Sequence, residues 1–230
     1  MRIVFVRHGE PDYEHDCLTE DGKRQASAAA ERLREEGIEQ IFSSPFGRAR
    51  ETAAAAADAL KLPVRILDFM HELYWGSDDG TPVFAGGHPW EIADELCRQG
   101  WDLTRTDWRE HPFFVHNRVT AEADRVAKET DEWLLSLGYR RDGAYYRCER
   151  ENDDQFTVAL FSHGGSSAAA MAHILNMTFP YACGLFHLDF TGITVIRLSR
   201  APGSVTLPCL ELSNDSRHIR PAVYHRLADM

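Results

Sequence analysis

MRIVFVRHGE, residues 1–10, is the stretch from which the rest of the chain can be read. Arg2–Val6 is a short apolar run rich in β-branched residues, the pattern of a buried strand. No turn residue follows it. Arg7, His8 and Gly9 come at once. In an open α/β sheet, ligands sit beyond the carboxyl ends of the strands, so a strand ending in a cation, an imidazole and a glycine marks a ligand edge.

A second strand ends in the same way. FTVALF, residues 156–161, runs into Ser162, His163, Gly164 and Gly165. If the two strands are neighbours, His8 and His163 meet at one edge of the sheet. The glycines let a ligand approach the backbone closely. The helix expected over Ser166–Leu175 would offer free N–H groups to an anion.

Between these strands the chain alternates helix and strand. Thr19 has the character of an N-cap, with Glu20 and Asp21 in the first turn, where the helix dipole favours acids. Ala26, Ala29, Ala30 and Leu33 recur at helical spacing, and Gly37 stops that helix. Ile38–Ser43 reads as a strand. SSPFGRARETAAAAADALKL, residues 43–62, reads as a Ser-Ser-Pro entry into an alanine-rich helix. Val64–Leu67 is a short strand after Pro63. Arg48 falls in the first turn of the alanine-rich helix, at the same end of the sheet as His8. Two guanidiniums and two imidazoles at one point would cradle a doubly charged oxyanion.

Residues 73 to about 155 carry all five tryptophans, at Trp75, Trp90, Trp101, Trp108 and Trp133. Helices are expected near Trp90–Gln99 and Asn117–Leu137, and a hairpin or loop over GYRRDGAYYRCERENDDQF. We read this region as an insertion over the sheet, with Trp75, Phe84, Trp90, Trp108, Phe113 and Phe114 as candidates to narrow an entrance. LFHLDFTGITVIRLSR, residues 185–200, has the look of two strands joined at Thr191-Gly192. A last strand is expected over Ser204–Leu212. Strands alternating with helices predict one α/β domain over residues 1–230: a three-layer α/β/α sandwich around a mostly parallel sheet, with the insertion as a lid.

The net charge of −11 argues against general binding to nucleic acid or an anionic membrane, yet leaves room for a small anion held by local arginines. The five cysteines are scattered without a C-x-x-C pair, which fits reduced thiols in a cytoplasmic protein. With the first strand starting at Arg2, no secretory signal is expected. No apolar run approaches the ~18 residues of a membrane-spanning helix. HELYW, residues 71–75, lacks the second histidine of a zinc-binding H-E-x-x-H helix, and no metal site is expected.

VRHGE, LTEDGKRQA, SSPFGRARETA, the acid in HELYWG and SHGG, in that order, resemble the histidine phosphatase superfamily, the phosphoglycerate mutase-like group. The motifs cover residues 1–76 and 156–198. The resemblance implies that His8 is a nucleophile that forms a phosphohistidine. Arg7, Arg48 and His163 would hold the phosphoryl oxygens, and Glu72 would be the proton donor to the leaving alcohol. Neighbouring arginine charges would keep His8 unprotonated. Gly164, Glu14 and Thr19 are further candidates around the phosphoryl group. No cofactor is implied. The partners implied are a small phosphorylated substrate and inorganic phosphate as product.

One position departs from the family pattern. Mutases of the group carry an asparagine six residues after the nucleophile, and here that residue is Glu14. A carboxylate against a phosphate is unfavourable. Either the loop is displaced, or Glu14 faces a cationic part of the substrate. The insertion also lacks an arginine-rich stretch for a substrate's second, carboxylate-bearing end. A phosphomonoesterase is therefore the first expectation. Mutase-type phosphoryl transfer, a protein phosphatase and a non-catalytic phosphate-binding protein are the alternatives. His116 and Arg118 are candidate substrate contacts, and the other eight histidines outside the site are expected to be surface or core residues. A hairpin at Leu185–Leu198 would offer a sheet edge through which a homodimer could form.

Overall fold

The computed structural model describes residues 1–152, 156–198 and 201–219. The expected end of the insertion near residue 155, the last two residues of the expected 185–200 hairpin and His225 lie outside these.

The chain opens with β1 (Arg2–Arg7), then two short strands, β2 (Pro11–Asp12) and β3 (Cys17–Leu18), in the loop that follows. Next come α1 (Glu20–Leu33), β4 (Gln40–Ser43), α2 (Gly47–Leu60) and β5 (Val64–Ile66). The middle holds α3 (Pro89–Arg98), α4 (Val119–Ser136) and a hairpin of β6 (Tyr139–Asp142) and β7 (Tyr145–Cys148). The last part holds β8 (Thr157–Ser162), α5 (Gly164–Ile174), α6 (Phe179–Leu185), β9 (Ile193–Arg197), β10 (Val205–Thr206) and β11 (Cys209–Asp215).

Six of the strands form one sheet in the order β11-β9-β1-β8-β4-β5. β1, β8, β4 and β5 are parallel, whereas β9 runs antiparallel to β1 and β11 antiparallel to β9. β8 lies between β1 and β4, and Arg7 pairs with Ser162. The two strands that end in histidine-glycine are therefore neighbours.

Alternate residues of each strand serve opposite faces. Val4 and Val6 of β1, with Ala159 and Phe161 of β8, pack with Ala30 and Leu33 of α1 and Ala53 and Ala56 of α2. Ile3 and Phe5, with Val158 and Leu160, pack with residues of α3, α4, α5 and α6. Helices thus cover both faces, giving the expected α/β/α sandwich. The alanines of α2 let it lie close to the sheet.

Four details differ from expectation. Leu185–Phe190 is not a strand: Leu185 ends α6, and only Ile193–Arg197 is extended. The backbone before β9 turns at Thr191 (φ 55°), whose N–H donates to Arg7 O at 3.0 Å, so this segment closes over the end of β1. β9 has β1 on one side and β11 on the other and offers no edge; the sheet ends in β11 and β5. Pro208 interrupts the expected last strand, so that β10 joins β7 while β11 joins β9. Finally, α4 buries Val119, Val126, Trp133 and Leu134 in the main core, so it is part of the helical layer.

Candidate active site

His8 sits at the end of β1 and is 1% exposed. Its loop is tied to three elements. The His8 N–H donates to Ser162 O of β8 at 2.9 Å, and the Gly9 N–H to Thr52 Oγ1 of α2 at 3.0 Å. Thr191, just before β9, closes over the loop as described. His8 Nδ1 lies 2.7 Å from Gly9 O. A carbonyl oxygen only accepts, so Nδ1 carries the proton and Nε2 keeps a free lone pair. The imidazolium is strongly disfavoured, with the pKa lowered to about 3. Burial is the main cause, ahead of the Arg7 and Arg48 charges that the sequence had suggested.

Arg7 Nη1 donates to Leu188 O at 2.5 Å, and its guanidinium lies 4.5 Å above the Phe190 ring. Arg48, in the first turn of α2, is buried and pairs with Asp16 Oδ1 at 2.5 Å. The second Asp16 oxygen accepts from the Gly47 N–H at 2.7 Å, so one carboxylate both caps α2 and holds Arg48. His163 is fully buried, with Nε2 2.7 Å from Ser44 Oγ. Its ring centroid is 5.1 Å from that of His8, edge to face. Burial, the largest cause, holds its pKa well below the usual value, and the nearby Arg48 and Arg7 charges add to it. Arg7 Nε, Arg48 Nε and His163 Nδ1 are buried with no hydrogen-bond partner among the described residues. Buried polar groups left unmatched are costly, and an oxyanion that accepted from them would relieve that cost.

Glu72 follows a short turn of 3-10 helix over Asp68–Met70. Its Oε1 accepts from the Leu73 N–H at 2.9 Å and from the Ser166 N–H at 3.1 Å. The N-terminus of α5, expected to be free for an anion, is therefore partly taken by Glu72. The hydroxyls of Ser162 and Ser166 both donate to Met70 O, at 3.3 and 3.2 Å, and so fix the turn that carries Glu72. Burial raises the Glu72 pKa, against the three backbone N–H groups of Leu73, Ser166 and Gly165. A carboxyl with a raised pKa keeps a proton to give away.

Arg7, Glu72 and Gly164 line a cavity of about 320 Å³ together with Trp75, Trp90 and Asp189, and with Tyr13, His88 and His187. Of the six aromatic side chains expected at an entrance, only Trp75 and Trp90 reach it. Trp108 and Phe114 are buried core residues, and Phe84 stacks on Phe113 at 4.5 Å away from the cavity lining.

His8, Arg7, Arg48 and His163 come together, with Glu72 and Gly164 at the same cavity. Glu14 does not join them: it is exposed, and its backbone N–H donates to Asp12 Oδ1 at 3.0 Å in a tight turn. Glu14 thus lies off the cavity lining, and Asp16 is the carboxylate that pairs with Arg48. Thr19 is the N-cap of α1, its Oγ1 accepting from the Gly22 N–H at 3.0 Å, and it does not line the cavity. His116 is exposed, and Arg118 is paired with Asp78 at 3.0 Å. Sequence reasoning missed Asp16, Ser44, His88, His187 and Asp189. Ser44 stood inside SSPFGRARETA, so the motif held a signal for it. The others carry none, because only the folded loops bring His88, His187 and Asp189 to the cavity and Asp16 to Arg48.

The family model described as histidine phosphatase superfamily (branch 1) matches residues 3–208. A mycobacterial glucosyl-3-phosphoglycerate phosphatase solved with inorganic phosphate is similar in structure, with TM-score 0.63 and 25% identity over 95% of this chain and 99% of that one. Mycobacterial hydrolase 1 has TM-score 0.63 and 26% identity over 93% and 98% of the two chains. A phosphoserine phosphatase from Entamoeba histolytica, solved with 3-phosphoglyceric acid, shares the fold at TM-score 0.61 and 22% identity, over 94% and 98%. Among curated relatives, a probable phosphoglycerate mutase of Yersinia pestis (strain Pestoides F) is 35% identical over 92 residues, 36% of this chain and 43% of that protein. The match spans less than half the length of that relative.

Proposed function

We propose that this chain, which belongs to the histidine phosphatase superfamily, is a phosphomonoester hydrolase that works through a covalent phosphohistidine at His8. The observation that carries the reading is the state of His8: buried, neutral, its proton on Nδ1, its Nε2 free, with the charges of Arg7 and Arg48 close by.

Nε2 attacks the phosphorus in line as the ester P–O bond breaks. Glu72, protonated, gives its proton to the departing alkoxide. Arg7, Arg48 and His163 donate to the phosphoryl oxygens and stabilise the charge spread over them in transfer. With the Ser44 hydroxyl donating to His163 Nε2, Nδ1 is the protonated nitrogen and becomes such a donor. In the second half, the Glu72 carboxylate takes a proton from water, the water oxygen attacks phosphorus, and the P–N bond breaks. Phosphate leaves and His8 is neutral again. The positive charge in this scheme comes from the two guanidiniums, so activity is expected to survive chelators. We read residues 1–230 as one domain, with residues 75–90 as the entrance. No described helix is long and apolar enough to cross a membrane.

A panel of phosphate esters, assayed on wild type and His8→Ala with acid-quenched samples searched for phosphohistidine, tests the reading. Release of phosphate by wild type, lost in His8→Ala together with the acid-labile adduct, supports it. Activity surviving in His8→Ala would overturn the mechanism. Isomerised substrate with little free phosphate would favour the mutase alternative, which the Yersinia relative suggests.

A further inference from the structure

To grip a phosphoryl oxygen, Arg7 has to hold its guanidinium in one orientation, and a long side chain does not do so unaided. Nη1 donates to Leu188 O at 2.5 Å, which fixes one corner of the fork. A second neighbour bears on the plane of the fork. The guanidinium carbon lies 4.5 Å over the centre of the Phe190 ring. A guanidinium stacked on an aromatic face keeps its in-plane N–H groups for oxygen acceptors. One of them, Nε, is buried without a hydrogen-bond partner among the described residues. The same ring lies 5.9 Å from the His8 imidazole, centre to centre, at a tilt of 36°. Phe190 is half-buried and is not among the residues that line the cavity, so it bears on a bound ester through Arg7 and His8.

The backbone that carries Phe190 is tied to both of these residues. The Arg7 N–H donates to Gly192 O at 3.3 Å, and the Thr191 N–H donates to Arg7 O at 3.0 Å and to His8 O at 3.3 Å. Thr191 is fully buried with φ of 55°, a left-handed conformation that is costly for a β-branched residue. Strain of this kind persists only where the surroundings over-determine it. Here they do. Thr191 Oγ1 is 2.9 Å from His218 Nε2. Asn214 Oδ1 accepts from the Asp189 N–H at 2.8 Å, and Asn214 Nδ2 donates to His187 O at 2.8 Å. At Gly192 a β-carbon would lie 2.2 Å from Asn214 Oδ1, so the two segments meet with no room between them. A ring mounted on so fixed a backbone gives the guanidinium a rigid face to rest on.

We propose that Phe190 is a positioning residue of the phosphoryl site, whose ring sets the plane in which Arg7 offers its N–H groups to the phosphoryl oxygens. The proposal rests on the hydrolase reading above and extends it to a residue outside the motifs. Without the ring, the guanidinium keeps its bond to Leu188 and swings about it. The phosphoryl group then meets the same charge in a wider spread of orientations, and both binding and transfer weaken.

The test uses the full chain. Phe190→Leu and Phe190→Met remove the ring and keep much of its volume, whereas Phe190→Tyr keeps the ring. Two quantities are measured: kcat and KM on nitrophenyl phosphate, and affinity for inorganic phosphate by calorimetry. The Leu and Met variants are expected to lose about two- to thirtyfold in kcat/KM and in phosphate affinity, the span of a cation–ring contact from exposed to desolvated surroundings. The Tyr variant is expected to stay within about twofold of wild type on both. In an Arg7→Ala background, Phe190→Leu should cost less than about twofold, because the ring has lost the group it serves. A loss of the same size with and without Arg7 overturns the proposal, as does an equal loss in the Tyr and Leu variants. Failure of both ring-free variants to fold also overturns it, since the ring would then serve the fold. If wild type turns over no ester and forms no phosphohistidine, the hydrolase reading fails, while the phosphate titrations still decide whether Phe190 acts through Arg7.

Discussion

The Oε1 atom of Glu72 occupies the space beside Gly165: a β-carbon at that position would lie 2.6 Å from it and 3.1 Å from Leu73 Cδ1. The second glycine of SHGG is therefore a requirement of the proposed acid. Gly165→Ala must push Glu72 off the start of α5. The expected result is a fall of about tenfold to a hundredfold in kcat for alkyl phosphates, within the range assigned to a positioned proton donor. Nitrophenyl phosphate, whose leaving group needs little protonation, should lose much less. Equal losses on the two substrates would mean that the glycine serves the phosphoryl cradle instead.

Phosphoryl transfer to His8 is expected to slow as pH rises. Burial raises the Glu72 pKa, so its proton is kept beyond the ordinary carboxyl range and lost above it. His8, with its pKa lowered to about 3, stays a nucleophile down to strongly acid solution. Single-turnover rates across pH should show an alkaline limb that Glu72→Gln flattens, and no limb at the ordinary histidine value. A limb near pH 6.5 would show that one of the two buried histidines titrates normally.

Stability should respond to the same burial with a definite sign. Unfolded His8 takes up a proton near pH 6.5, whereas folded His8 does so only near 3. Between those values the unfolded chain binds more protons, so stability is full above about pH 6.5 and falls as pH drops towards 3. Denaturant midpoints across this window should slope less in His8→Gln than in wild type. Parallel curves would contradict the buried, neutral state.

Asp16 pairs with Arg48, so it is expected to compete with a phosphate for that guanidinium while keeping it in place. Asp16→Asn retains an oxygen for the Gly47 N–H and removes a negative charge at 2.5 Å from the guanidinium. Inorganic phosphate is then expected to inhibit at about three- to tenfold lower concentration, on the order of 1 kcal/mol. Weaker inhibition would make Asp16 chiefly a clamp that orients Arg48.

Asn117 is buried and serves four backbone groups, at Gly76, Gly87, Phe113 and Val119. At Gly87, φ is +88° and a β-carbon would lie 2.4 Å from Gly76 N, so the two segments touch backbone to backbone. Asn117→Ala leaves those groups unmatched. A loss of about 1–3 kcal/mol in thermal or denaturant unfolding is expected, with a raised KM as the Trp75–Trp90 wall loosens.

Much of this site was legible because its parts sit at the ends of strands. Val4, Val6, Ala159 and Phe161 announce β1 and β8, and the polar groups that follow them at once have nowhere to lie except the ligand edge. Arg48 could be placed because the helix that carries it starts at the same edge. Asp16 and Asp189 could not, since a loop whose path depends on its partners brings the one to Arg48 and the other to the cavity. The run LFHLDF satisfies a strand pattern, yet the end of β1 takes the N–H of Thr191 and bends the backbone away from any ladder. Trp108 and Phe114 share their composition with Trp75 and Trp90. What separates core from entrance there is the packing of the loops around them, with Trp108 edge to face on Phe114 at 4.9 Å.

The place of β8 between β1 and β4 bears on how the molecule assembles. His8, Arg48 and Glu72 all leave the ribosome early, but the strand that joins their two halves of the sheet is made roughly ninety residues after Glu72. At about 5–20 residues per second, the amino-terminal part must wait several seconds with the inner edges of β1 and β4 unpaired. Its contacts are non-local, so the nucleophile's environment is expected to form late, once β8 has been made. The burial that lowers the His8 pKa is thus expected to be completed only by a strand made long after the histidine itself.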